Sequence, residues 1–256
     1  MRASPAGVAT VTLNRPEAHN AFNAEVIERL SEVFADLAGA DGVRVVLLEA
    51  VGKSFSAGAD LNWMKHAADF TKEENREDAR ALAEMLRRLN TLPKPTVALV
   101  QGAAFGGGVG LMAACDMVVA VRNAEFSLSE IKLGLIPATI SPYVIAAIGA
   151  RQARRYFLTG ERFDADEACR IGLVHEVVGD TEALDAAGQR IVERLFAAPP
   201  GALAAAKDLI AAVAGRPIDA DVIEDTARRI ADRRTHPEAR EGIDAFLEKR
   251  QPDWRG

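Results

Sequence analysis

The stretch Thr96–Glu130, TVALVQGAAFGGGVGLMAACDMVVAVRNAEFSLSE, decides how the rest of the chain is read. It opens on a β-branched run (Thr96, Val97, Val100), turns at Gly102 and reaches three consecutive glycines, Gly106–Gly108. A small-residue segment, Val109–Cys115, then reads as a helix, and the apolar run Met117–Val121 as a further strand. Strand, glycine turn, helix and strand in that order are the parts of an α/β fold with a largely parallel sheet. The glycines also serve chemistry. Lacking a Cβ, they leave backbone N–H groups bare at a helix start, where those groups have no intrahelical acceptor. Glu130 follows in apolar company, with Leu128, Ile131 and Leu133 around it. The stretch is therefore a candidate for half of an oxyanion hole, with Glu130 as the acid/base.

Upstream, Val8–Leu13 alternates as a strand and stops at Asn14-Arg15-Pro16. Asn23 is placed to cap a helix whose apolar positions Val26, Ile27, Leu30, Val33, Phe34 and Leu37 step by three and four. Val43–Leu48 follows as a strand apolar enough to be covered on both faces. After the Gly/Ser-rich loop Gly52–Asp60 come Leu61, Trp63 and Met64, then a charged helix from about Lys72 to Leu92. Downstream, Ser141–Ile148 and Ala150–Thr159 read as helices, 164–172 as a short helix and Val174–Val178 as a last strand. Helices near 180–197, 199–213, 219–232 and 237–249 complete the chain, punctuated by Pro199-Pro200, Gly215-Arg216-Pro217 and His236-Pro237.

Bulk composition narrows the function classes. The 256 residues are 49% hydrophobic and 27% charged, ordinary for a soluble protein with a sizeable core. A net charge of −6 gives a nucleic-acid or anionic-membrane role no electrostatic support. Cys115 and Cys169 lie far apart in apolar contexts, which suits reduced thiols in a cytoplasmic protein. With His19, His66, His175 and His236 they form no metal-ligand spacing, so no metal is expected. Neither a secretory signal nor a run of 18 apolar residues is seen, and no membrane role is expected.

Three partial motifs compete for the chemistry. Gly52-Lys53-Ser54 resembles the tail of a P-loop, but Leu47 stands where that motif needs its first glycine. Gly108-x-Gly110-x-x-Ala113 has the outline of a dinucleotide fingerprint, yet about five residues separate it from the preceding strand. The third candidate joins two loops, Ser56-Ala57-Gly58-Ala59-Asp60 and Phe105-Gly106-Gly107-Gly108. Each runs from a strand through glycine into a helix start and can offer one free N–H. Two such groups converging on one oxygen would stabilise a developing thioester enolate.

On these residues the sequence resembles the crotonase, or enoyl-CoA hydratase/isomerase, superfamily over nearly its whole length. The likeness runs through Leu13-Asn14-Arg15-Pro16 with Asn20-Ala21, Phe55–Leu61, Lys94–Asp116, Phe126–Pro137 and Leu158-Thr159-Gly160. It ends at Glu241-Gly242, Phe246 and Lys249-Arg250. The resemblance implies a ββα spiral core over 1–195, carrying the CoA site and the catalytic Glu, and a helical trimerisation region over 196–256. It implies a trimer or dimer of trimers acting on an acyl-CoA substrate, with no cofactor beyond the coenzyme A that carries the acyl group.

The same resemblance makes Ala59 and Gly107 the oxyanion-hole donors and Glu130 the acid/base. Ala18, His19, Ala57, Asp60 and Leu61 fall at CoA-contacting positions, as do Phe246 and Lys249 of a C-terminal pair, whereas Glu17 replaces a common lysine. Trp63, Gly110, Pro137 and Ser141 are expected around the acyl group, with Lys65, Thr139 and Tyr143 as further polar candidates. Gly110 departs from the two-glutamate hydratases, which carry a second carboxylate there. One carboxylate can serve a hydratase or a Δ3,Δ2-enoyl-CoA isomerase; a CoA-ester binder without turnover is a remoter alternative. The segments ADLNWM and LSEIKLGLIPATISP are similar to the methylglutaconyl-CoA and carboxygeranoyl-CoA hydratase branch, which implies hydration of a branched, carboxylated enoyl-CoA.

Overall fold

Apolar runs too short for helices, separated by glycine turns, are laid into two sheets in the computed structural model, which describes residues 1–4 and 6–255. In chain order the first elements are β1 (Arg2–Ala3), β2 (Val8–Leu13), α1 (Ala24–Gly39), β3 (Val45–Ala50), β4 (Ser54–Ser56), α2 (Leu61–Ala67) and α3 (Lys72–Asn90). Then come β5 (Thr96–Val100), β6 (Ala103–Phe105), α4 (Gly107–Ala113), β7 (Met117–Val121), β8 (Glu125–Ser127) and α5 (Ser141–Thr159). The last are β9 (Arg162–Asp164), α6 (Ala165–Arg170), β10 (Glu176–Val178), α7 (Thr181–Phe196), α8 (Pro200–Val213), α9 (Ala220–Thr235) and α10 (Pro237–Glu248).

One sheet has the order β1-β2-β3-β5-β7-β10 and the other β4-β6-β8-β9. The first is parallel except for β1, and the second parallel except for β9. Successive strand pairs β3/β4, β5/β6 and β7/β8 each put one strand in each sheet before the chain returns through helices, which is the ββα spiral. β5, buried at every position, is a central strand covered on both faces. The sequence does not reveal the strands of the second sheet, because three residues are too few to show a period. β3 starts two residues later than its apolar run: Val43 still closes a turn on the Ala40 carbonyl, and pairing with β2 extends to Leu13 opposite Ala50.

Helix α1 starts where Asn23 caps the Val26 N–H and buries Ile27, Leu30, Val33, Phe34 and Leu37, each worth roughly 1.5–3 kcal/mol when fully buried. It packs beside α3, which begins in a capping box between Thr71 and Glu74 and buries Met85, Leu86 and Leu89. Helix α5 is two helical segments joined at Gly149, whose φ of 72° and ψ of 157° interrupt it, as the separate sequence segments imply. Helix α7 lies on the first sheet through Leu184, Ala187 and Gly188.

Helices α8–α10 bury little of themselves and are held by polar ties. The Arg44 guanidinium donates to the carbonyls of Phe196, Ala198 and Trp254 at 3.2, 3.1 and 3.2 Å and stacks over the Phe196 ring. Lys207 on α8 pairs with Asp116 at 2.8 Å, and the same carboxylate oxygen accepts from the Thr96 N–H and hydroxyl. Ile210, Ile218, Phe246 and Leu247 are left exposed. Among the described residues no single helix is long and apolar enough to cross a membrane.

Candidate active site

Two loops meet between the sheets and α3. The first is anchored by His19 and Asn20, both left-handed (φ 50° and 52°), a conformation Asn tolerates better than most residues. The buried Asn20 amide donates to the carbonyls of Val51 and Ser54 at 2.9 and 2.8 Å and accepts from the Arg15 N–H. In turn the Asn20 and His19 carbonyls accept from the Ser56 hydroxyl and the Ala57 N–H. Phe22 then bridges the loop: its N–H donates to the Gly58 carbonyl at 2.7 Å, and its carbonyl accepts from the Asp60 N–H at 2.8 Å. Because Phe22 bonds the residues on both sides of Ala59, the Ala59 N–H faces the other way. It has no acceptor among the described residues.

The second loop arrives against the first. Gly58 has φ 85°, and a Cβ there would sit 2.8 Å from the Phe105 carbonyl and 3.4 Å from the Gly107 nitrogen, so the two backbones touch. Gly106, at φ 48° and ψ −116°, donates to the Ser127 carbonyl and turns the chain into α4. That leaves the N–H of Gly107, the first helical residue, without an acceptor among the described residues.

Glu130 lies over this turn. It sits in a 3₁₀ segment, Ser129–Leu133, and a Cβ on Gly106 would be only 2.9 Å from its Oε1. Its Oε2 is buried without a hydrogen-bond partner among the described residues. Burial pushes the carboxyl pKa up, and a hydrogen bond from its own backbone N–H offsets this in part. Of the neighbours expected to desolvate it, only Leu128 is buried; Ile131 and Leu133 are 37% and 62% exposed. Leu133 still reaches the cleft wall, where Phe22, Trp63 and Ile140 also stand.

The cleft has a volume of about 360 Å³. It brings together Ala57, Ala59, Leu61, Trp63, Gly107, Glu130 and Pro137 of the residues singled out in the sequence, with Thr139 beside them. Asp60 lies just beneath, buried, capping α2 through the N–H groups of Asn62 and Trp63 and paired with Arg15 at 3.2 Å. Those interactions, the Asn62 N–H foremost, hold its carboxyl below the usual range against the cost of burial. Ala18 and His19, at the end of the 3₁₀ turn Pro16–Ala18, are not among the cleft's lining residues, and the His19 ring meets the Ser54 hydroxyl at 3.1 Å. Phe246, 82% exposed, and Lys249, left-handed at the end of α10, are not among the cleft's lining residues.

Two pocket residues read from the sequence lie elsewhere. Gly110 is buried under Ile140: a Cβ at 110 would come within 2.1 Å of Ile140 Cγ2 and 2.5 Å of its Cβ. Ile140 thus fills the space that a side chain at 110 would need, and it, not Gly110, faces the cleft. Ser141 turns away and donates to the Ala138 carbonyl at 2.8 Å. Lys65 is exposed and Tyr143 lines a separate cleft with Cys115, Asp116 and His175. Conversely, Phe22, Asp78, Leu82 and Ile140 line the site although the sequence does not single them out for it. Asp78 did leave a signal: it stands one turn before Leu82, in the apolar stripe of α3.

A ββα spiral with two bare loop amides and a desolvated carboxylate in one cleft is the architecture of the crotonase superfamily. Within it, the chain belongs to the enoyl-CoA hydratase/isomerase family, whose model matches residues 3–256. The crystal structure of an enoyl-CoA hydratase from Shewanella pealeana superposes with a TM-score of 0.94 at 45% identity, covering 97% of this chain and 92% of that one. The 1,2-epoxyphenylacetyl-CoA isomerase of Escherichia coli is 34% identical over 255 residues, 98% of this chain and 95% of its own. The short-chain-enoyl-CoA hydratase of Clostridium acetobutylicum is 32% identical over 251 residues, 95% of this chain and 92% of its own.

Proposed function

We propose that this protein hydrates a 2-enoyl-CoA thioester, with Glu130 as acid/base and the N–H groups of Ala59 and Gly107 as the oxyanion hole. Glu130 takes a proton from water as the water oxygen bonds to Cβ. The displaced π electrons move through Cα to the thioester oxygen, where the two N–H groups hold the enolate. Glu130 then delivers its proton to Cα, so that H and OH are added and the carboxylate is restored. Each oxyanion-hole donor is worth about 2.7–4 kcal/mol in comparable sites. A raised pKa suits a carboxyl group that must both accept and return a proton. The observation that carries the reading is the buried, unpartnered Glu130 Oε2 in the same cleft as two bare amides.

The narrower form of the proposal is a branched acyl chain; the resemblance also implies a distal carboxylate like that of 3-methylglutaconyl-CoA, which the cleft does not favour. Small Ala138 on the wall leaves room for a branch. The distal carboxylate is not carried into the proposal, since the lining holds Glu130 and Asp78 but, among the described residues, no Lys, Arg or His. Assembly into trimers belongs to the same proposal, and the exposed apolar side chains of α8–α10 supply surface for it.

A single carboxylate also favours a second reading, Δ3,Δ2-enoyl-CoA isomerisation, because Ile140 stands where a second acid would enter. A substrate panel separates the two. Conjugated-enone absorbance falls with crotonyl-CoA or 3-methylglutaconyl-CoA if the enzyme hydrates, and rises with a 3-enoyl-CoA if it isomerises. No change with any of these thioesters would overturn both readings.

A further inference from the structure

We infer that Asp78 sets which acyl groups the cleft accepts, favouring chains that end in a hydroxyl and turning away chains that end in a carboxylate. The inference rests on the reading of the cleft as an acyl-CoA site. Asp78 lies on α3 one turn before Leu82; both line the cleft, together with Ile27 of α1 and Trp63 of α2. Its carboxyl is half-buried and forms no ion pair among the described residues. Desolvation raises its pKa, and the nearby Trp63 indole N–H works the other way.

The groups on the far side of Asp78 do not neutralise it. In the adjoining groove between α1 and α3 stand Glu28, Glu32, Glu84 and Arg88. Arg88 is committed to Glu84 at 3.1 Å and to the Ser31 carbonyl at 3.2 Å. A substrate carboxylate would therefore enter beside two acids, Asp78 and Glu130, and, among the described residues lining the cleft, no cation. Like charges in a poorly solvated cleft repel strongly. A hydroxyl at the same point donates to Asp78, and a hydrogen bond to a charged group is the stronger kind.

A matched series of thioesters tests this: 3-methylglutaconyl-CoA, 5-hydroxy-3-methylpent-2-enoyl-CoA and 3-methylpent-2-enoyl-CoA differ only at the distal carbon. Wild-type protein is expected to give a kcat/KM at least about tenfold higher for the alcohol than for the carboxylate, equivalent to about 1.4 kcal/mol. Asp78→Asn should narrow that ratio by about tenfold and Asp78→Lys should invert it. A wild-type preference for the carboxylate, or a ratio unmoved by both substitutions, would overturn the inference. Crotonyl-CoA keeps the two levels apart. If it is hydrated while the ratio stays put, the role of Asp78 alone fails; if none of the four thioesters is turned over, the acyl-CoA reading fails with it.

Discussion

Replacing Gly110 by alanine has an effect whose sign depends on Ile140. In the wild-type background the new Cβ would lie 2.1 Å from Ile140 Cγ2 and 2.5 Å from Ile140 Cβ, both far inside van der Waals contact. Both partners are buried, so relief requires backbone movement, and the cost falls at the upper end of overpacking penalties, about 3 kcal/mol. Glycine to alanine within a helix returns about 1 kcal/mol, which leaves a net loss of about 2 kcal/mol. Ile140→Gly alone removes a buried side chain and frees the backbone at the start of α5, costing about 3–5 kcal/mol. In that background the clash is gone and only the helix gain remains. Gly110→Ala should then stabilise the protein by about 1 kcal/mol, a coupling of about 3 kcal/mol across the cycle. Urea unfolding of the four proteins measures each term. A Gly110→Ala effect that is neutral in the wild type, or equal in both backgrounds, would refute the claim that Ile140 occupies this space. The same geometry means that a glutamate at 110 requires the Ile140 change before its carboxylate can reach the cleft.

Three further outcomes are expected. Arg44→Ala should cost about 2–4 kcal/mol, because hydrogen bonds to charged groups are worth roughly 1.5–3 kcal/mol each and three are lost non-additively. The Tm should fall by about 5–10 °C and proteolysis should begin between α7 and α8; an unchanged Tm would mean the C-terminal helices are held by other contacts. Glu130→Gln should raise stability at neutral pH, since the folded state carries the cost of desolvating an ionised carboxylate that the unfolded state does not. That gain should shrink as pH falls through the raised folded pKa and vanish below the ordinary glutamate value, where both states of the wild type are protonated; a pH-independent gain would contradict the shift. Burial pushes the Cys115 thiol up to about 12, so it should resist alkylation at pH 8 in the folded protein and react on unfolding.

How far the sequence revealed this arrangement depended on the range of the interaction. Helices from α7 to α10 were legible because capping residues and proline punctuation are local, β2 because its six residues alternate, and β5 and β7 because their largely apolar runs are five residues long. The second sheet was hidden, since β4, β6, β8 and β9 have three residues each. The two amide-bearing loops and Glu130 stood out because glycine and an acid in apolar company are distinctive residue types. Ile140 over Gly110 was not legible. It arises from a tertiary contact between α4 and the start of α5, and at 140 any bulky apolar residue would have looked like ordinary core. Asp78 was visible only as a charge interrupting an apolar stripe, a pattern that also marks the edge of a solvated helix face.

Turnover by Glu130→Gln is the most direct test of the central claim, that one desolvated carboxylate performs both proton transfers. With crotonyl-CoA at saturating concentration, the substitution should lower kcat by at least about 10²–10⁴-fold, the share due to general acid–base catalysis. Binding of the CoA ester should remain near the wild-type value, because the loop amides and cleft walls are untouched. Wild-type-like turnover in that variant would contradict the account.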